Sequence, residues 1–232
     1  MTLSPQRLAE CRDKARAIRD DRGVDIRLRK FVMLRKKDVD DIEWLQNIPE
    51  LPNCVELCCG SCQLYKLPKL PLCRRLICGI NYLEELPDLP QCQELDCRGN
   101  QLKSLPALPT CRKLVCNSNQ LRSLPELPLC QELICGECQL TSLPDLPLCL
   151  KLICIKCQLI SLPELPLCQE LWCDHNPLTT LPALPTCREL WCRNTKLTTL
   201  PDLGVCCQLR CDCNQLTTLP ALPSCQKSQS VD

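Results

Sequence analysis

A 19-residue unit runs nine times in tandem from residue 54 to residue 224, and four leucines hold the same places in every copy. Read from Cys73, the unit is C-x-x-L-x-C-x-x-N-x-L-x-x-L-P-x-L-P-x. A segment this short cannot bury an apolar face by itself. It must stack on its neighbours, so the period requires a solenoid. The invariant residues hold that stack together, and function has to be sought on the variable surface.

Within the unit, L-x-C alternates as a short strand does, with leucine and cysteine on one side. A turn follows at the ninth position, filled by Asn81, Asn100, Asn119, Asn176 and Asn214. Asparagine there can bond the exposed backbone of neighbouring coils and build a ladder. Cys62, Cys138, Cys157 and Thr195 take the same slot in the other copies, and a thiol is the weaker donor, so those rungs should be looser. The return path L-x-x-L-P-x-L-P contains two prolines. Each fixes φ near −65° and removes an N–H, which forbids helix and favours an extended, polyproline-like run. The expected architecture is an α/β repeat protein. It is a right-handed solenoid with a parallel β-sheet on its concave face, extended LPxLP segments on its convex face and a helical amino-terminal cap.

The pattern LxCxxNxLxxLPxLP resembles the leucine-rich repeat, and its short LPxLP return is similar to the bacterial-effector subclass. Cysteine at two leucine positions departs from that subclass and is more similar to cysteine-bearing repeat arrays of large DNA viruses of amoebae. The resemblance covers roughly residues 48–225. It implies a leucine-rich repeat fold and, in a viral or effector setting, engagement of a host factor. Some effectors of this type carry a ubiquitin-ligase domain after the repeats. The present sequence ends before any such domain, so the resemblance implies no enzymatic activity.

Cut coils expose core and strand edges, so a solenoid needs caps. Residues 1–47 are expected to form a basic helical cap, residues 48–225 the solenoid and residues 226–232 a polar tail. Ser4-Pro5 is a helix start, and Leu8, Cys11, Ala15 and Ile18 recur at helical spacing. Residues 24–34 are ambiguous between strand and helix, and a second helix is expected over 38–45. The tail looks too short and polar to cover a coil. Either the last coil frays or something covers it, and self-association through that end stays open.

Charge is nearly balanced, 28 basic against 27 acidic residues, but it is unevenly placed. Residues 1–37 hold 12 Lys/Arg against 5 Asp/Glu, and the remainder 16 against 22. The basic excess is interleaved with acids, as on a solvated helix, and nucleic acid is not the expected partner. The amino terminus lacks the apolar core of a signal peptide, and no run is long enough to span a membrane. With 26 cysteines, that points to a reducing compartment: cytoplasm, with the virion as the alternative.

Two cysteine columns are complete, one from Cys54 to Cys206 and one from Cys59 to Cys211. Both replace inward leucines, and free cysteine commonly serves as a small buried hydrophobe. Zinc sites want compact four-ligand clusters, whereas C-x4-C here repeats without pairing. No metal or cofactor is therefore expected. Thiol-redox or metal chemistry remains an alternative, and Cys11, Cys58, Cys207 and Cys213, outside the columns, are the expected exposed thiols.

The position between leucine and cysteine should face solvent. It reads Cys58, Ile77, Asp96, Val115, Ile134, Ile153, Trp172, Trp191, Arg210, an apolar stripe where polar residues would be ordinary. Such a patch marks an interaction site, and tryptophan is enriched in binding hot spots. The competing explanation is β-propensity alone. Two residues earlier, Glu56, Arg75, Glu94, Lys113, Glu132, Lys151 and Glu170 alternate in sign, which reads as a register-keeping ladder. Glu189 breaks the alternation. With Asp174 and His175 nearby, that end looks acidic and suited to a basic partner.

The candidate partner-binding residues are thus Ile77, Val115, Ile134, Ile153, Glu170, Trp172, His175, Glu189, Trp191 and Arg210. His175 is the only histidine, so no catalytic triad or multi-histidine site can be assembled. The expected function is non-enzymatic recognition of another protein on the concave face. A structural, virion-associated role is the alternative.

Overall fold

The computed structural model describes residues 30–33, 50–223 and 227–229. The two cap helices expected over the first 47 residues lie outside them, as do Cys11 and Cys225. Eleven strands of three residues each form one parallel sheet in sequence order. They are β1 (Phe31–Met33), β2 (Glu56–Cys58), β3 (Arg75–Ile77), β4 (Glu94–Asp96), β5 (Lys113–Val115), β6 (Glu132–Ile134), β7 (Lys151–Ile153), β8 (Glu170–Trp172), β9 (Glu189–Trp191), β10 (Gln208–Arg210) and β11 (Lys227–Gln229). From β2 to β10 each residue pairs with its equivalent one unit on, as Leu152 does with Leu171 and Ile153 with Trp172. A parallel sheet in strict register is what identical units stacked on one another must give.

The core runs the length of the stack. In a unit such as 130–148, Leu133, Leu140, Leu146, Cys130 and Cys135 are buried, and the leucine of the first LP, Leu143, packs against them half-buried. The inward placement of both cysteine columns holds throughout. The first column donates its thiol within its own coil: Cys73 Sγ lies 3.3 Å from the carbonyl of Arg75, and the other members repeat the bond. Burial pushes these thiols up, to about 11 at Cys73, Cys111 and Cys149 and about 12 at Cys54, Cys92 and Cys187. Cys78, Cys97, Cys116, Cys135, Cys154 and Cys173 stand well above their ordinary value for the same cause first. Thiols held protonated in this way are inert packing groups.

The return strokes carry no helix among the described residues. They are not extended throughout, however. In Leu70-Pro71-Leu72-Cys73 the Cys73 N–H donates to the Leu70 carbonyl at 3.1 Å, and the same bond recurs from Leu51 to Leu203. The second proline of LPxLP therefore opens a β-turn that swings the chain back into the next strand. The fixed φ of proline suits the second position of a turn as well as it suits polyproline. Gly204 takes this place in one copy and the turn persists.

Asparagine forms the ladder expected of it. Asn81 Oδ1 accepts the N–H groups of Cys62 and Leu64 at 3.0 and 2.9 Å, and its Nδ2 donates to the carbonyls of Cys59 and Cys78 at 3.0 and 2.8 Å. One side chain thus ties two coils. Cys138 and Cys157 donate backward to the carbonyls of Cys116 and Cys135 at 3.5 and 3.4 Å, and Cys157 also reaches the Ile155 carbonyl of its own coil at 4.0 Å. Thr195 adds a bond to Asn214 of the following coil.

A feature absent from the sequence pattern sits one residue before each rung. Ser61, Ile80, Gly99, Ser118, Glu137, Lys156, His175, Asn194 and Cys213 all have φ between 51° and 62°. The turn into the rung demands the left-handed region. Only Gly99 and Asn194 suit it intrinsically, and Ile80, β-branched, is the most strained.

Two strands flank the repeats. β1 pairs parallel with β2, placing Val32 over Leu57, so the ambiguous stretch 24–34 contains strand at 31–33. β11 pairs with β10 and closes its backbone edge, while the leucines of the last coil stay partly open: Leu216 is half-buried and Leu219 is 38% exposed. Ladder pairing needs backbone groups rather than apolar side chains, so a polar Lys227-Ser228-Gln229 can supply it.

Candidate partner-binding face

From β2 to β10 each strand turns its leucine inward and its first and third residues outward, because side chains alternate along a strand. The third-position row is consequently continuous over the sheet: Met33, Cys58, Ile77, Asp96, Val115, Ile134, Ile153, Trp172, Trp191 and Arg210 are successive partners in the register. The row is less exposed than the sequence suggested. Ile77, Ile134, Ile153, Trp172, Trp191 and Arg210 are half-buried. Val115 is only 5% exposed, so it forms part of the wall rather than a contact surface. Adjacent strands lie so close that β-branched neighbours cover one another's flanks.

Trp172 and Trp191 stack with ring centroids 4.0 Å apart and planes 2° from parallel. Both outer faces of the pair are capped by cations. Lys151 Nζ lies 5.5 Å from the Trp172 ring and the Arg210 guanidinium carbon 4.2 Å from the Trp191 ring. Four consecutive strands, β7 to β10, thereby make one stack of cation, indole, indole, cation. Both indole N–H groups are buried without an acceptor.

The charge ladder forms as ion pairs across neighbouring strands. Arg75 Nε meets Glu94 at 2.8 Å, Lys113 meets Glu132 at 2.9 Å and Lys151 meets Glu170 at 2.5 Å. The hydrogen bond it donates to Glu170 holds the Lys151 ammonium above its usual range. These exposed pairs keep register more than they stabilise, at about 0.2–1 kcal/mol each. The acidic character expected of the carboxyl-terminal end is largely neutralised. Glu170 is paired with Lys151, and the buried carboxylate of Asp174 takes the Arg193 N–H at 2.7 Å and its guanidinium at 3.1 Å. Glu189 alone of the three makes no ion pair among the described residues. His175 is exposed beside this end, in the left-handed position before the rung.

Some surface residues were missed from sequence. Phe31 and Met33 are 62% and 64% exposed and extend the outward rows by one strand. The e-B-e burial of Phe-Val-Met matches the repeat, but without the flanking motif the match was not visible. Ile155 stands half-buried beside the row, and Gly136 keeps its neighbour close: a Cβ there would meet the Ile155 carbonyl at 2.7 Å. Of the thiols outside the columns, Cys207 and Cys213 are exposed and Cys58 is half-buried. Among the described residues no group of three or more His, Cys, Asp or Glu side chains could hold a metal ion, and no helix is long and apolar enough to cross a membrane.

Among solved structures, this chain is similar to YopM from Yersinia enterocolitica, with 35% identity and a TM-score of 0.72 over 75% of this chain and 41% of that one. It is also similar to YopM from Yersinia pestis, a leucine-rich effector protein, at 30% identity and a TM-score of 0.56 over 74% of this chain and 58% of that one. The fold is that of a leucine-rich repeat solenoid. The chain spans less than two thirds of either YopM structure. No protein-family model and no curated protein sequence matches it. As a leucine-rich repeat it departs from the bare pattern in having thiols at two core positions, and the structure shows how they are accommodated: each column is buried and protonated.

Proposed function

We propose that this leucine-rich repeat is a non-enzymatic recognition module that binds another protein on the concave face of its sheet. The observation that carries this reading is the Trp172–Trp191 stack at the end of a half-buried aliphatic row. Large aromatic rings held rigid by stacking lose little freedom on binding, which is why they dominate interface energetics. Ile134 and Ile153 continue the surface, and Glu189, His175 and Arg210 give it a polar rim. The likeness to YopM effectors supports a host protein as partner, met in a compartment that keeps the 26 cysteines reduced.

The test compares partner binding by the wild type and a Trp172→Ala/Trp191→Ala variant, after circular dichroism has shown that both fold. Affinity should fall by a factor of about 30 or more, since truncating a hot-spot residue costs ~2 kcal/mol or more. Equal affinity for the same partner would remove the concave-face reading.

A further inference from the structure

We infer that Arg210, stacked on Trp191, is the docking point for a carboxylate side chain of the partner, so that the segment bound at this end is acidic. The inference rests on the concave-face reading above and makes it chemically specific. It begins from a mismatch of donors and acceptors. Elsewhere on this face the outward cations have carboxylates: Arg75 with Glu94, Arg98 with Asp96, Lys113 with Glu132, Lys151 with Glu170 and Arg193 with Asp174. Arg210 has none among the described residues. Its contact is with the indole face, at 4.2 Å.

Stacking fixes the guanidinium plane and leaves its N–H edge free, which is the arrangement suited to two parallel bonds to a carboxylate. Arg210 is half-buried, so an ion pair formed there would be less screened than one at the rim. The neighbouring indole N–H groups are two more donors without acceptors. Strands β8 to β10 therefore carry a surplus of donors, the reverse of the balanced pairs on β3 to β7.

Glu189 is the counterweight. It lies on the strand beside Arg210, two positions earlier in the unit, and it has no ion pair of its own. It repels an incoming carboxylate and competes for the guanidinium. Removing its charge should strengthen acid binding, whereas a merely basic partner would bind less well.

The experiment uses two acetylated, amidated pentapeptides that differ only at the centre, glutamate in one and glutamine in the other, each flanked by leucines. Binding of each to the whole chain is measured by isothermal titration calorimetry. The glutamate peptide should bind at least tenfold tighter than the glutamine peptide, with the difference shrinking in salt. Arg210→Gln should erase the difference, Arg210→Lys should keep part of it, and Glu189→Gln should enlarge it about twofold or more. Arg210→Gln is compared with wild type by thermal melt, so that a folding defect is not read as lost recognition.

Equal binding of the two peptides, or a preference for glutamate that survives Arg210→Gln, overturns the assignment. So does the absence of saturation with the glutamate peptide at 10 mM (on the order of 3 kcal/mol of affinity). Equal binding that disappears in Trp172→Ala/Trp191→Ala would leave the concave face standing as the interface and sink only the carboxylate.

Discussion

Leu171 and Trp172 are consecutive residues on one strand, yet they belong to different regimes. Leu171 is wholly buried among leucines and thiols that recur unchanged in every unit. Trp172 stands on the opposite side of the sheet, in a row whose occupants run from thiol to isoleucine to aspartate to tryptophan to arginine. The inner column has no freedom because every coil sees the same two neighbours, and a misfit anywhere is felt along the stack. The outer row is constrained only by packing along one face. Variation is thus concentrated where a partner can read it.

The largest effect that separates the two sides should be alkaline unfolding. The folded-state pKa of the inner thiols is raised above the ordinary 9.0, to about 11 at Cys111 and about 12 at Cys92. Their stabilisation is therefore complete below pH 9 and is lost as pH rises through the folded values. In that window the unfolded chain has released protons that the folded chain still holds. Each thiol removes ~1.4 kcal/mol per pH unit, and the eight of the first column from Cys54 to Cys187 together rival the whole stability of an ordinary domain within about one unit. A cooperative loss of circular dichroism under reducing conditions should appear between about pH 9 and 11. A chain still folded at pH 11.5 would show that the columns are not buried as thiols.

Next in size is the substitution that tests the comparison within one strand. Leu171→Ala should cost about 2–5 kcal/mol, as a buried leucine in a close-packed core does. Trp172→Ala should lose the stack and its cation contact, about 0.5–1.5 kcal/mol for the aromatic pair, and abolish most partner binding. Chemical denaturation of the two variants reads both. Equal costs would mean that the outer row is structural too.

The smallest effect sharpens the comparison inside the stack. Cys157 has two long sulfur bonds, at 3.4 and 4.0 Å, in a rung where Asn81 makes five. Cys157→Asn should stabilise the chain by about 1 kcal/mol, the usual net worth of a recovered hydrogen bond, measured as a raised denaturant midpoint. A lower midpoint would show that the two adjacent thiol rungs, Cys138 and Cys157, are packed for sulfur rather than tolerated.

Much of this was legible before any coordinates. Leu171 and Cys173 are placed by the period, since each repeats in eight other copies, and Asn176 by the four other copies that keep the asparagine. The Lys151–Glu170 pair followed from alternating sign in one column. What failed was whatever the repeat does not average. The acidic end looked uncompensated because Arg193, which neutralises Asp174, stands in a column that keeps no pattern, running from glycine through Arg98, Asn117 and Ile155 to Asp174. The strand in the tail went unseen because sequence pattern reports side chains, and β11 pairs through backbone. Val115 looked exposed because alternation assigns a side of the sheet but not the cover given by adjacent strands.

The amino-acid order by itself determined the solenoid, its parallel sheet, the burial of both thiol columns and the row facing outward. All of these follow from a short period whose apolar residues can be hidden only by stacking. Tertiary structure alone decided which of those outward residues meet. It set the Trp172 and Trp191 rings face to face between Lys151 and Arg210, half-sank the isoleucines, and left Arg210 without a carboxylate. Those outcomes depend on distances of a few ångströms between side chains 19 residues apart, and on rotamers that each strand's neighbours select. A repeating sequence can fix the spacing of such contacts, but only the packed stack chooses their partners.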